Sequence, residues 1–470
     1  MRILFLNPPF TKYAGLEGHG GKALPLNLAY LAGYLRKHSP HHKLEVLDCE
    51  GLNLSYETIE KRIKEISPDV IAITAPTPAY VQVEEVCKII KKISPKIKTI
   101  VGGPHPSAFP QETTKNPNID FSIIGEGEET LTELISFLEK NSSLAEVKGI
   151  AYKNESGEII KTQPRPQIAD LDSIPFPARD LFPLDIYFLP PTKITSNKKA
   201  GNIITSRGCC YQCTYCIASV MWGHKVRFRS VKNVVDEIEE CLKKYNIGEF
   251  NFHDELFTVN RKHTIAICRE IKKRKLDIAW VCMCRIDFID KELLTEMKSA
   301  GCRKVFFGLE AGDQEILNAM KKRMDINKAY DAVKLVKKVG IKAGASFMFG
   351  YLGETEKTIR KTINLAKKLN LDTVAFFIAS PYPGTEFYKQ AKELGLLRSD
   401  LQWKDFTLVS DNLPPLNLPH LPPKRLLEIQ KKAYLEYYLR PKYILMKLKN
   451  LRPWEIKNLY DGLKILLKLK

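Results

Sequence analysis

Four of the eleven cysteines of this chain lie within eight residues, in the stretch RGCCYQCTYC at 207–216. Cys209, Cys213 and Cys216 have the spacing C-x3-C-x2-C. Three thiolates this close together can hold three corners of a cubane iron–sulfur cluster, because a short loop can wrap one face of it. The fourth iron would then have no protein ligand nearby, and an open metal position is where chemistry can take place.

Two other metal sites fit the same stretch less well. Cys210 with the last two cysteines has the spacing C-x2-C-x2-C, which begins a ferredoxin-type run. That run continues with x3-C-P, but Val220 occupies the position and the next cysteine is Cys241. A structural zinc site usually needs a second Cys/His pair at a regular distance, and only His224 is near. Both alternatives are therefore disfavoured.

The composition is that of a globular protein of two or three domains. The chain has 470 residues, of which 44% are hydrophobic and 27% charged. No apolar run approaches the roughly 18 residues of a membrane span, and the N-terminus does not resemble a signal peptide. We expect a cytoplasmic protein with reduced cysteines. The net charge of +19 suits nucleic acid, an anionic membrane or an acidic substrate, and does not choose among them.

Residues 1–140 alternate short apolar runs with helical patterns. Such alternation predicts a Rossmann-like, doubly wound parallel sheet, on which ligands bind beyond the carboxyl ends of the strands. The expected strands are 2–7, 44–48, 70–74, 99–101 and 120–124, and the expected helices are 26–38, 56–66, 81–93 and 129–139.

Three loops follow strands of this predicted sheet and are candidates for a binding site. Their glycines would let the backbone approach a large flat ligand, although ordinary turn chemistry is the favoured explanation of these residues taken alone. The loop residues concerned are Asn7, Pro8, Pro9, Gly102, Gly103, His105, Gly125, Glu126 and Gly127.

A second series of strand–helix repeats begins near residue 196. Six repeats predict a partial (β/α)6 barrel, with polar groups gathered at the carboxyl ends of its strands. The expected strands are 203–205, 249–253, 280–283, 304–307, 344–349 and 373–379. Between the two series, residues 141–195 form a connector whose prolines at 175 and 177 favour an extended path. Beyond residue 385 the barrel pattern stops, and a helix is expected at 424–439.

The cysteine spacing resembles that of the radical S-adenosylmethionine (SAM) superfamily, whose members leave the fourth iron for the amino and carboxylate groups of SAM. The segments NPP, GGPHP and GEGEET together resemble the cobalamin-binding domain found ahead of many radical SAM domains, and DLDSIPFPAR resembles the segment that joins the two. This resemblance implies a cobalamin-binding domain at 1–140, a linker at 141–195, a radical SAM domain at 196–385 and a helical extension at 386–470.

The resemblance also implies which residues contact the cofactors. The three glycine loops would line cobalamin. The motif D-x-H-x-x-G, which supplies a cobalt ligand in other corrinoid proteins, is absent, so His105 is expected beside the corrin and not on cobalt. The [4Fe-4S] cluster would be held by Cys209, Cys213 and Cys216. Cys210 stands where relatives commonly have proline and is expected to be a bystander.

The SAM contacts implied by the resemblance lie at successive strand ends. Carboxylates after the second strand would accept the SAM amino group, and charged residues after the next two would hold its carboxylate and ribose. Glycines would close on the adenosine, and an aromatic and a proline would flank the adenine. The carboxylates are Asp254 and Glu255, and the charged residues are Arg285 and Glu310. The glycines are Gly350 and Gly353, and the aromatic and the proline are Tyr215 and Pro381.

The remaining cysteines do not form a second cluster motif. Cys268, Cys282, Cys284 and Cys302 are spread over predicted elements and are expected to be buried. Of these four cysteines, Cys284 is the candidate for a functional role, because it lies near a strand end. A methylthiotransferase is disfavoured, since only Cys49 and Cys87 occur in the first domain and a second cluster needs three ligands.

The end of the chain is basic and amphipathic. Residues 440–470 contain nine basic and two acidic residues, interleaved with leucine, isoleucine, Trp454 and Tyr460. This pattern is typical of a helix lying on an anionic membrane face, and equally of a helix packed on the barrel with a solvated basic side. Nucleic acid binding is not expected.

Taken together, the residues and the resemblance indicate a cobalamin-dependent radical SAM enzyme. The expected reaction is methylation of an unactivated carbon of a hydrophobic or lipid substrate through a 5′-deoxyadenosyl radical and methylcobalamin, with electrons from a flavodoxin or ferredoxin. One alternative is a cyclase or rearrangement enzyme with the same cofactors. Another, of a different class, is a corrinoid-binding sensor with a structural cluster. The expected location is the cytoplasm, with peripheral contact to the inner face of the membrane.

Overall fold

The first unit of the fold is a seven-stranded sheet, seen in a computed structural model that describes residues 1–10, 21–140, 143–407 and 412–449. Its strands are β1 (Arg2–Asn7), β2 (Lys43–Asp48), β3 (Val70–Thr74), β4 (Lys98–Gly102), β5 (Phe121–Ile123), β6 (Ile150–Lys153) and β7 (Ile159–Lys161). Their order is β2-β1-β3-β4-β5-β6-β7, with parallel pairing from β1 to β5 and antiparallel pairing of the last two strands. The five expected strands are confirmed.

Helices cover both faces of this sheet, which confirms the doubly wound fold. They are α1 (Leu26–His38), α2 (Tyr56–Ile66), α3 (Tyr80–Ile93), α4 (Pro104–Ala108), α5 (Pro110–Lys115) and α6 (Glu128–Lys140). Successive side chains of a strand point to opposite faces. Ile3 and Phe5 accordingly join the core formed with α1 and α6, whereas Leu4 and Leu6 join the core formed with α2 and α3.

The pair β6 and β7 was missed by the sequence pattern. These strands contain only four and three residues, which is too short for a recognisable apolar run, although Ile150 and Ala151 of β6 are buried. Their turn is made by Asn154, whose N–H donates to the Glu158 carbonyl at 2.9 Å, and by Gly157 at φ +81°. The expected connector therefore contributes an edge to the first sheet.

The second unit is a curled sheet of parallel strands that leaves one side open, as expected for a partial barrel. The strands of this part of the chain are β8 (Lys199–Ile203), β9 (Ser206–Arg207), β10 (Arg227–Phe228), β11 (Ile247–Phe252), β12 (Ala279–Cys284), β13 (Cys302–Glu310), β14 (Lys342–Phe349) and β15 (Thr373–Ile378). The curled sheet has the order β15-β14-β13-β12-β11-β8, and β9 pairs with β10 in a short antiparallel ladder.

Helices alternate with these strands and pack against the outer face of the curled sheet. They are α7 (Ala218–Trp222), α8 (Val231–Tyr245), α9 (Arg261–Lys273), α10 (Lys291–Ser299), α11 (Gln314–Ala319), α12 (Ala329–Lys338), α13 (Glu356–Leu369) and α14 (Glu386–Glu393). In α8, Ser230 caps the amino end by accepting from the Asn233 N–H, and Asn246 ends the helix in the left-handed region. Val234, Ile238 and Cys241 recur at helical spacing and face the core.

Two further helices complete the described chain, α15 (Pro423–Tyr438) and α16 (Pro441–Lys449). Helix α15 covers the edge strand β15. The Tyr434 hydroxyl accepts from the Phe376 N–H at 3.0 Å and donates to its carbonyl at 3.1 Å, and Tyr438 does the same for Val374 at 2.9 and 2.7 Å. Tyrosine hydroxyls thus satisfy the edge that another strand would otherwise pair with.

The segment between α14 and α15 returns to the first unit. Its Trp403 lies edge-on to the His105 ring, with the ring centroids 4.9 Å apart. The sequence pattern did not indicate this contact, which joins residues almost 300 positions apart. Within the described ranges, no helix is both long and apolar enough to cross a membrane.

Candidate active site

The cysteine loop leaves the short strand β9 and ends at α7, next to the carboxyl end of the curled sheet. It begins at Gly208, which has φ +103°, and a Cβ at this position would overlap the Lys225 carbonyl oxygen. Only glycine allows this turn, because other residues are strained at positive φ and their Cβ needs space. The loop geometry therefore starts from a position that tolerates no side chain.

The cysteines of the loop differ in exposure. Cys209, Cys213 and Cys216 are half-buried free thiols, whereas Cys210 is exposed. Burial, together with the neighbouring Cys213 and Cys209 thiols, raises the pKa of Cys216 to about 11. Thiols that raise one another's pKa lie close together. Iron binding offsets the cost of ionising them, because the cation stabilises the thiolates. The donor set fits an iron–sulfur cluster.

The spacing of the thiols also bears on the zinc alternative. Ligands of one tetrahedral zinc ion, with Zn–S near 2.3 Å, lie within roughly 4 Å of one another. In the described part of the chain, one group of three ligating side chains has its ligand atoms within 4.8 Å, and it consists of His41, His42 and Glu139. That group lies at the amino edge of the first sheet, where the His41 Nε2–Glu139 Oε1 distance is 2.9 Å. Cys209, Cys213 and Cys216 do not form such a group in the described part of the chain.

The middle of the loop is bound to the barrel through Thr214. Its hydroxyl lies 2.5 Å from the Tyr351 hydroxyl, its N–H donates to the Met320 carbonyl at 3.1 Å, and its carbonyl accepts from the Phe387 N–H at 2.9 Å. The sequence analysis did not identify Thr214 or Tyr351, since a hydroxyl pair 137 residues apart leaves no local pattern.

Glu354 supports this attachment from behind. Its Oε2 accepts from the Gly350 N–H at 2.6 Å and the Tyr351 N–H at 3.2 Å, and burial raises its pKa to about 8. Gly350 has φ +85°, and a Cβ there would lie 2.8 Å from Leu426 of α15. Gly350 is therefore required for its turn and for helix packing, whereas Gly353 is exposed.

The two acidic residues after β11 have different environments. Asp254 is buried, and its Oδ1 accepts from the hydroxyls of Thr205 at 2.7 Å and Ser206 at 2.5 Å. Asp254 thus fixes the segment between β8 and the cysteine loop. Glu255 is half-buried beside Cys209, and burial, with the Asp254 charge, raises its pKa to about 7. Of the two, Glu255 has the environment of a ligand-binding carboxylate.

Arg285 contacts the cysteine loop directly. Its guanidinium carbon lies 3.9 Å from the centroid of the Tyr211 ring, a cation–π contact. It also donates to the carbonyls of Lys322 at 2.9 Å and Arg323 at 2.8 Å and pairs with Asp287 at 2.8 Å. Its side chain is buried and positions the loop.

Glu310 and Tyr215 meet at a lysine that the sequence analysis missed. Lys322 Nζ lies 2.9 Å from Glu310 Oε1 and 3.1 Å from the Tyr215 hydroxyl. Although burial lowers its pKa, Glu310 and Cys213 together hold that pKa above its ordinary value, so Lys322 remains charged. Glu310 has φ +62°, a conformation that costs about 1–3 kcal/mol and that clusters at functional sites. Pro381, the other expected adenine neighbour, is buried in the loop after β15.

The glycine loops of the first unit lie at the carboxyl ends of β1, β4 and β5. Gly125 has φ +78°, and a Cβ there would meet no atom within 4 Å, so this loop faces open space. Gly103, at φ +111°, lies against the backbone of Ala75. Asn7 donates to Asp48 at 2.7 Å, which fixes its side chain between two strand ends. The open surface beside Gly125 suits a large flat ligand.

His105 is enclosed by aromatic rings. Its ring stacks on Tyr80 with centroids 3.8 Å apart and contacts Phe109 and Trp403 edge-on. It is fully buried, neither ring nitrogen has a hydrogen-bond partner among the described residues, and burial lowers its pKa to about 3. The imidazole is therefore neutral and forms part of the wall under the glycine loop.

Glu126 connects the two units. Its Oε1 accepts from Arg207 at 2.9 Å and Arg227 at 3.0 Å, and its Oε2 accepts from Arg227 at 2.8 Å. Arg207 also pairs with Glu128 at 2.5 Å. We call these four buried residues the interdomain ion cluster. The sequence analysis placed Glu126 at the cobalamin site, but both its oxygens bind the arginines beside the cysteine loop.

Two other sequence expectations are resolved by the structure. Cys268, Cys282, Cys284 and Cys302 are all buried, as expected. Cys284 lies 3.6 Å from Cys282 and belongs to the core under the helices, so it does not face the site. The sequence pattern favours a solvated helix end for His38, His41 and His42, but His42 is buried.

Comparison with known proteins adds independent evidence. A model described as the B12 binding domain matches residues 18–135, and one described as the radical SAM superfamily matches residues 203–366. The chain is 35% identical over 464 residues to the uncharacterized methyltransferase PH0819 of Pyrococcus horikoshii, which covers 98% of both chains. It is 32% identical over 396 residues to the anaerobic magnesium-protoporphyrin IX monomethyl ester cyclase of Rubrivivax gelatinosus, covering 83% of this chain and 70% of that one.

A solved structure shares the fold. The cobalamin-dependent SAM radical enzyme OxsB, determined with aqua-cobalamin and SAM bound, superposes with a TM-score of 0.74 at 20% identity. The match covers 99% of this chain and 70% of that one. Both units and their order along the chain are therefore those of a known architecture.

The cysteine register is tested by single substitutions. We expect Cys209→Ala, Cys213→Ala and Cys216→Ala each to abolish reconstitution of a four-iron cluster, since each removes one of three ligands. Cys210→Ala is the matched control and should retain the cluster, because this thiol is exposed. Iron and sulfide analysis with electron paramagnetic resonance measures the result. Loss of iron in the Cys210 variant with retention in the Cys209 variant would show the other register.

The interdomain ion cluster is tested by Glu126→Gln. Removing one partner of a buried ion pair leaves an uncompensated charge and costs about 3–5 kcal/mol. The matched control is Glu129→Gln, whose carboxylate is exposed and pairs with Arg165 at 3.1 Å, and which should cost about 1 kcal/mol or less. Thermal unfolding measures both, and equal effects would contradict the assignment.

The stability difference between wild type and Glu126→Gln depends on pH. Although burial raises the pKa of Glu126, Arg227 and Arg207 hold it below its ordinary value. A carboxyl with a depressed pKa contributes its stability above the unfolded pKa of about 4.3 and loses it as the pH falls through the folded pKa. The difference between wild type and Glu126→Gln should therefore be constant near neutral pH and shrink below about pH 4.

Proposed function

Because the chain belongs to the radical SAM family whose members carry a cobalamin-binding domain, we propose that it methylates an unactivated carbon of a hydrophobic substrate. The observation that carries this proposal is the 35% identity to a protein named as a methyltransferase, extending over 98% of both chains. Similarity over the whole length includes both domains, their linker and the C-terminal extension, and not the cofactor domains alone.

The cofactors of this family are a [4Fe-4S] cluster, SAM and cobalamin, which together supply radical formation and methyl transfer when bound. The protein's own contribution is to hold the three in line and to exclude water. We assign Cys209, Cys213 and Cys216 to the cluster. Arg285, through Tyr211, and Tyr351, through Thr214, fix the loop that carries them. Electrons would come from an external flavodoxin or ferredoxin.

For SAM, we assign its amino group to Glu255, the half-buried carboxylate beside Cys209. The carboxylate and ribose of SAM would lie near Glu310 and Lys322, whose ion pair offers both a donor and an acceptor. Asp254 and Arg285 act through the segments they hold. For cobalamin, the open surface beside Gly125 is the binding surface, with His105 as a wall residue and not a cobalt ligand.

A cyclase with the same cofactors is the second candidate. The observation that favours it is the 32% identity to a magnesium-protoporphyrin IX monomethyl ester cyclase, over 70% of that protein. The two candidates share every residue assigned above and differ in the fate of the substrate radical. Only the product distinguishes them.

The reaction class is tested by anaerobic turnover with SAM labelled with deuterium in its methyl group, with candidate lipid extracts as substrate. We expect 5′-deoxyadenosine and a product heavier by a deuterated methyl group, detected by mass spectrometry. A Cys213→Ala variant is the control and should form neither. 5′-Deoxyadenosine with an unlabelled, rearranged product would establish the cyclase. Absence of 5′-deoxyadenosine from the reconstituted enzyme would contradict both and favour a sensor.

A hydrophobic substrate is supported by the surface of α16. Its apolar side chains Leu445 and Leu448 are 58% and 62% exposed. Lys442 and Lys449 lie on the same helix, and Tyr443 anchors it by donating to the Asp372 carbonyl at 3.1 Å. Apolar area together with basic residues favours an anionic membrane surface. The rest of the basic tail, including Trp454, lies outside the described residues.

Membrane contact is tested by flotation with anionic liposomes. We expect the full chain to float at low salt and to be released as salt rises, because exposed charges are screened beyond about 8 Å at physiological ionic strength. A chain truncated after Arg440 and the double variant Leu445→Ser/Leu448→Ser should both float less. The double variant leaves Tyr443 in place and so separates membrane contact from helix packing. Equal flotation of all three, or flotation of none, would remove this support for a lipid substrate.

A further inference from the structure

We propose that Lys193 and His253 form a binding site for an anionic group of the substrate inside the curled sheet, so that the substrate is an apolar molecule with a carboxylate or phosphate. This inference deepens the proposed function and rests on it. The two residues come from different parts of the chain, and none of the cofactor assignments above uses them.

His253 lies on the concave face of the curled sheet. It directly follows β11, in which Phe250 pairs in register with Trp280. The Trp280 indole donates to the Ala300 carbonyl after α10 at 2.8 Å, which places Trp280 and Phe250 on the outer, helix-covered face. Residues of the opposite parity therefore face inward. His253 has this parity, and Asn251 and His253 are joined by a side-chain hydrogen bond of 2.7 Å.

Lys193 reaches the same face from the end of the linker. The segment 192–196 is bound to inward-facing residues of two strands. Glu249 Oε1 accepts from the Thr195 N–H at 2.5 Å and hydroxyl at 2.7 Å, and Lys304 Nζ donates to the Thr192 carbonyl at 2.6 Å. This anchoring holds Lys193 Nζ at 3.4 Å from Asn251 Oδ1. The linker thus carries a cation to the interior of the sheet.

The charge of Lys193 has no counter-ion in the described protein. No carboxylate oxygen of the described residues lies within 4.0 Å of its Nζ. Glu249, the acid on the neighbouring strand face, accepts from Thr195 and Ser196 instead. Arg179, by comparison, is paired with Glu237 at 2.8 Å. Lys193 is half-buried. A partly desolvated ammonium without a carboxylate partner is unfavourable, and an anionic ligand would compensate it.

The titration behaviour of both groups agrees with this geometry. Burial lowers the pKa of Lys193. Burial, with the Lys193 charge adding to it, lowers the pKa of His253 to about 4, although the His253 side chain still reaches solvent. A side chain that is exposed and yet desolvated lies in a recess. The Lys193 ammonium beside the neutral His253 imidazole favours an anion there, which would raise the pKa of both groups.

Apolar side chains line part of the remaining concave face. Val281 of β12 is in register with the inward-facing Asn251 and therefore faces inward too. Met283, two residues further along β12, has the same parity, and it is in register with Phe306 of β13. Phe377 of β15 has the inward parity and is half-buried. The concave face therefore has one cationic end, near β11, and an apolar wall across the later strands. An apolar body with one anionic end matches this division.

The experiment uses the full chain and two fluorescent probes, cis-parinaric acid and its methyl ester, which differ only in the charge of one end. We expect the wild type to bind the acid at least about tenfold more tightly than the ester, since an unpaired buried charge costs more than this. Lys193→Gln and His253→Asn should each reduce this preference without changing ester binding. Lys193→Arg, which keeps the charge, should retain it.

The matched control is Lys198→Gln, five residues along the same segment, where the lysine pairs with Asp277 at 2.7 Å near the surface. It should retain the full preference for the acid. Displacement by dodecyl phosphate more strongly than by dodecanoate would indicate a phosphate, and the reverse order a carboxylate. Equal binding of acid and ester by the wild type, or equal loss in the Lys193 and Lys198 variants, would overturn the proposal. Binding needs no turnover, so 5′-deoxyadenosine formation by the same protein tests the proposed function separately.

Discussion

The rest of the structure depends on the burial of four charges between the two units. Glu126 and Glu128 of the first unit bind Arg207 and Arg227 of the second, and all four side chains are at most 6% exposed. Charges removed from water are tolerated only when their partners are held in good geometry. Rotation of one unit against the other would therefore leave unpaired charges in a poorly solvated interface. Because Arg207 lies two residues before Cys209, this interaction also sets where the cysteine loop begins.

The loop is then held from the barrel side by different forces. A hydroxyl pair joins Thr214 to Tyr351, and a cation–π contact joins Tyr211 to Arg285. The loop therefore has one anchor in the first unit and two in the second. An enzyme that must align three cofactors needs such a loop, since small displacements of reacting groups are costly in rate. The strained backbone of Glu310 and the buried Lys322 lie on the same side, where the sheet stabilises conformations that an isolated loop would not adopt.

The linker does more than connect the two units. It adds β6 and β7 to the first sheet, and Tyr187 donates to Asp48 at 2.6 Å beside the loop after β1. Its last residues bring Lys193 to the concave face of the second sheet. The buried arginines Arg179, Arg207, Arg227 and Arg285 each pair with a carboxylate. Lys193, at the interior of the barrel, has no carboxylate partner among the described residues, and a ligand would compensate its charge. This difference in charge compensation distinguishes structural ion pairs from a binding site.

The sequence by itself determined the cysteine spacing, the order of strands and helices and the fold of both units. These depend on local periodicity, and long apolar strands such as β3 and β14 are unambiguous. Short strands such as β6 and β7 leave no such pattern. Only the tertiary structure decided which polar residues serve the site and which join the domains. Glu126 and Glu255 both look like ligand-binding carboxylates in sequence. One meets two arginines from a distant segment, and the other lies beside a cysteine. Lys322, Thr214 and Lys193 were missed for the same reason, because their roles come from partners more than ten residues away, whose proximity only the folded chain creates.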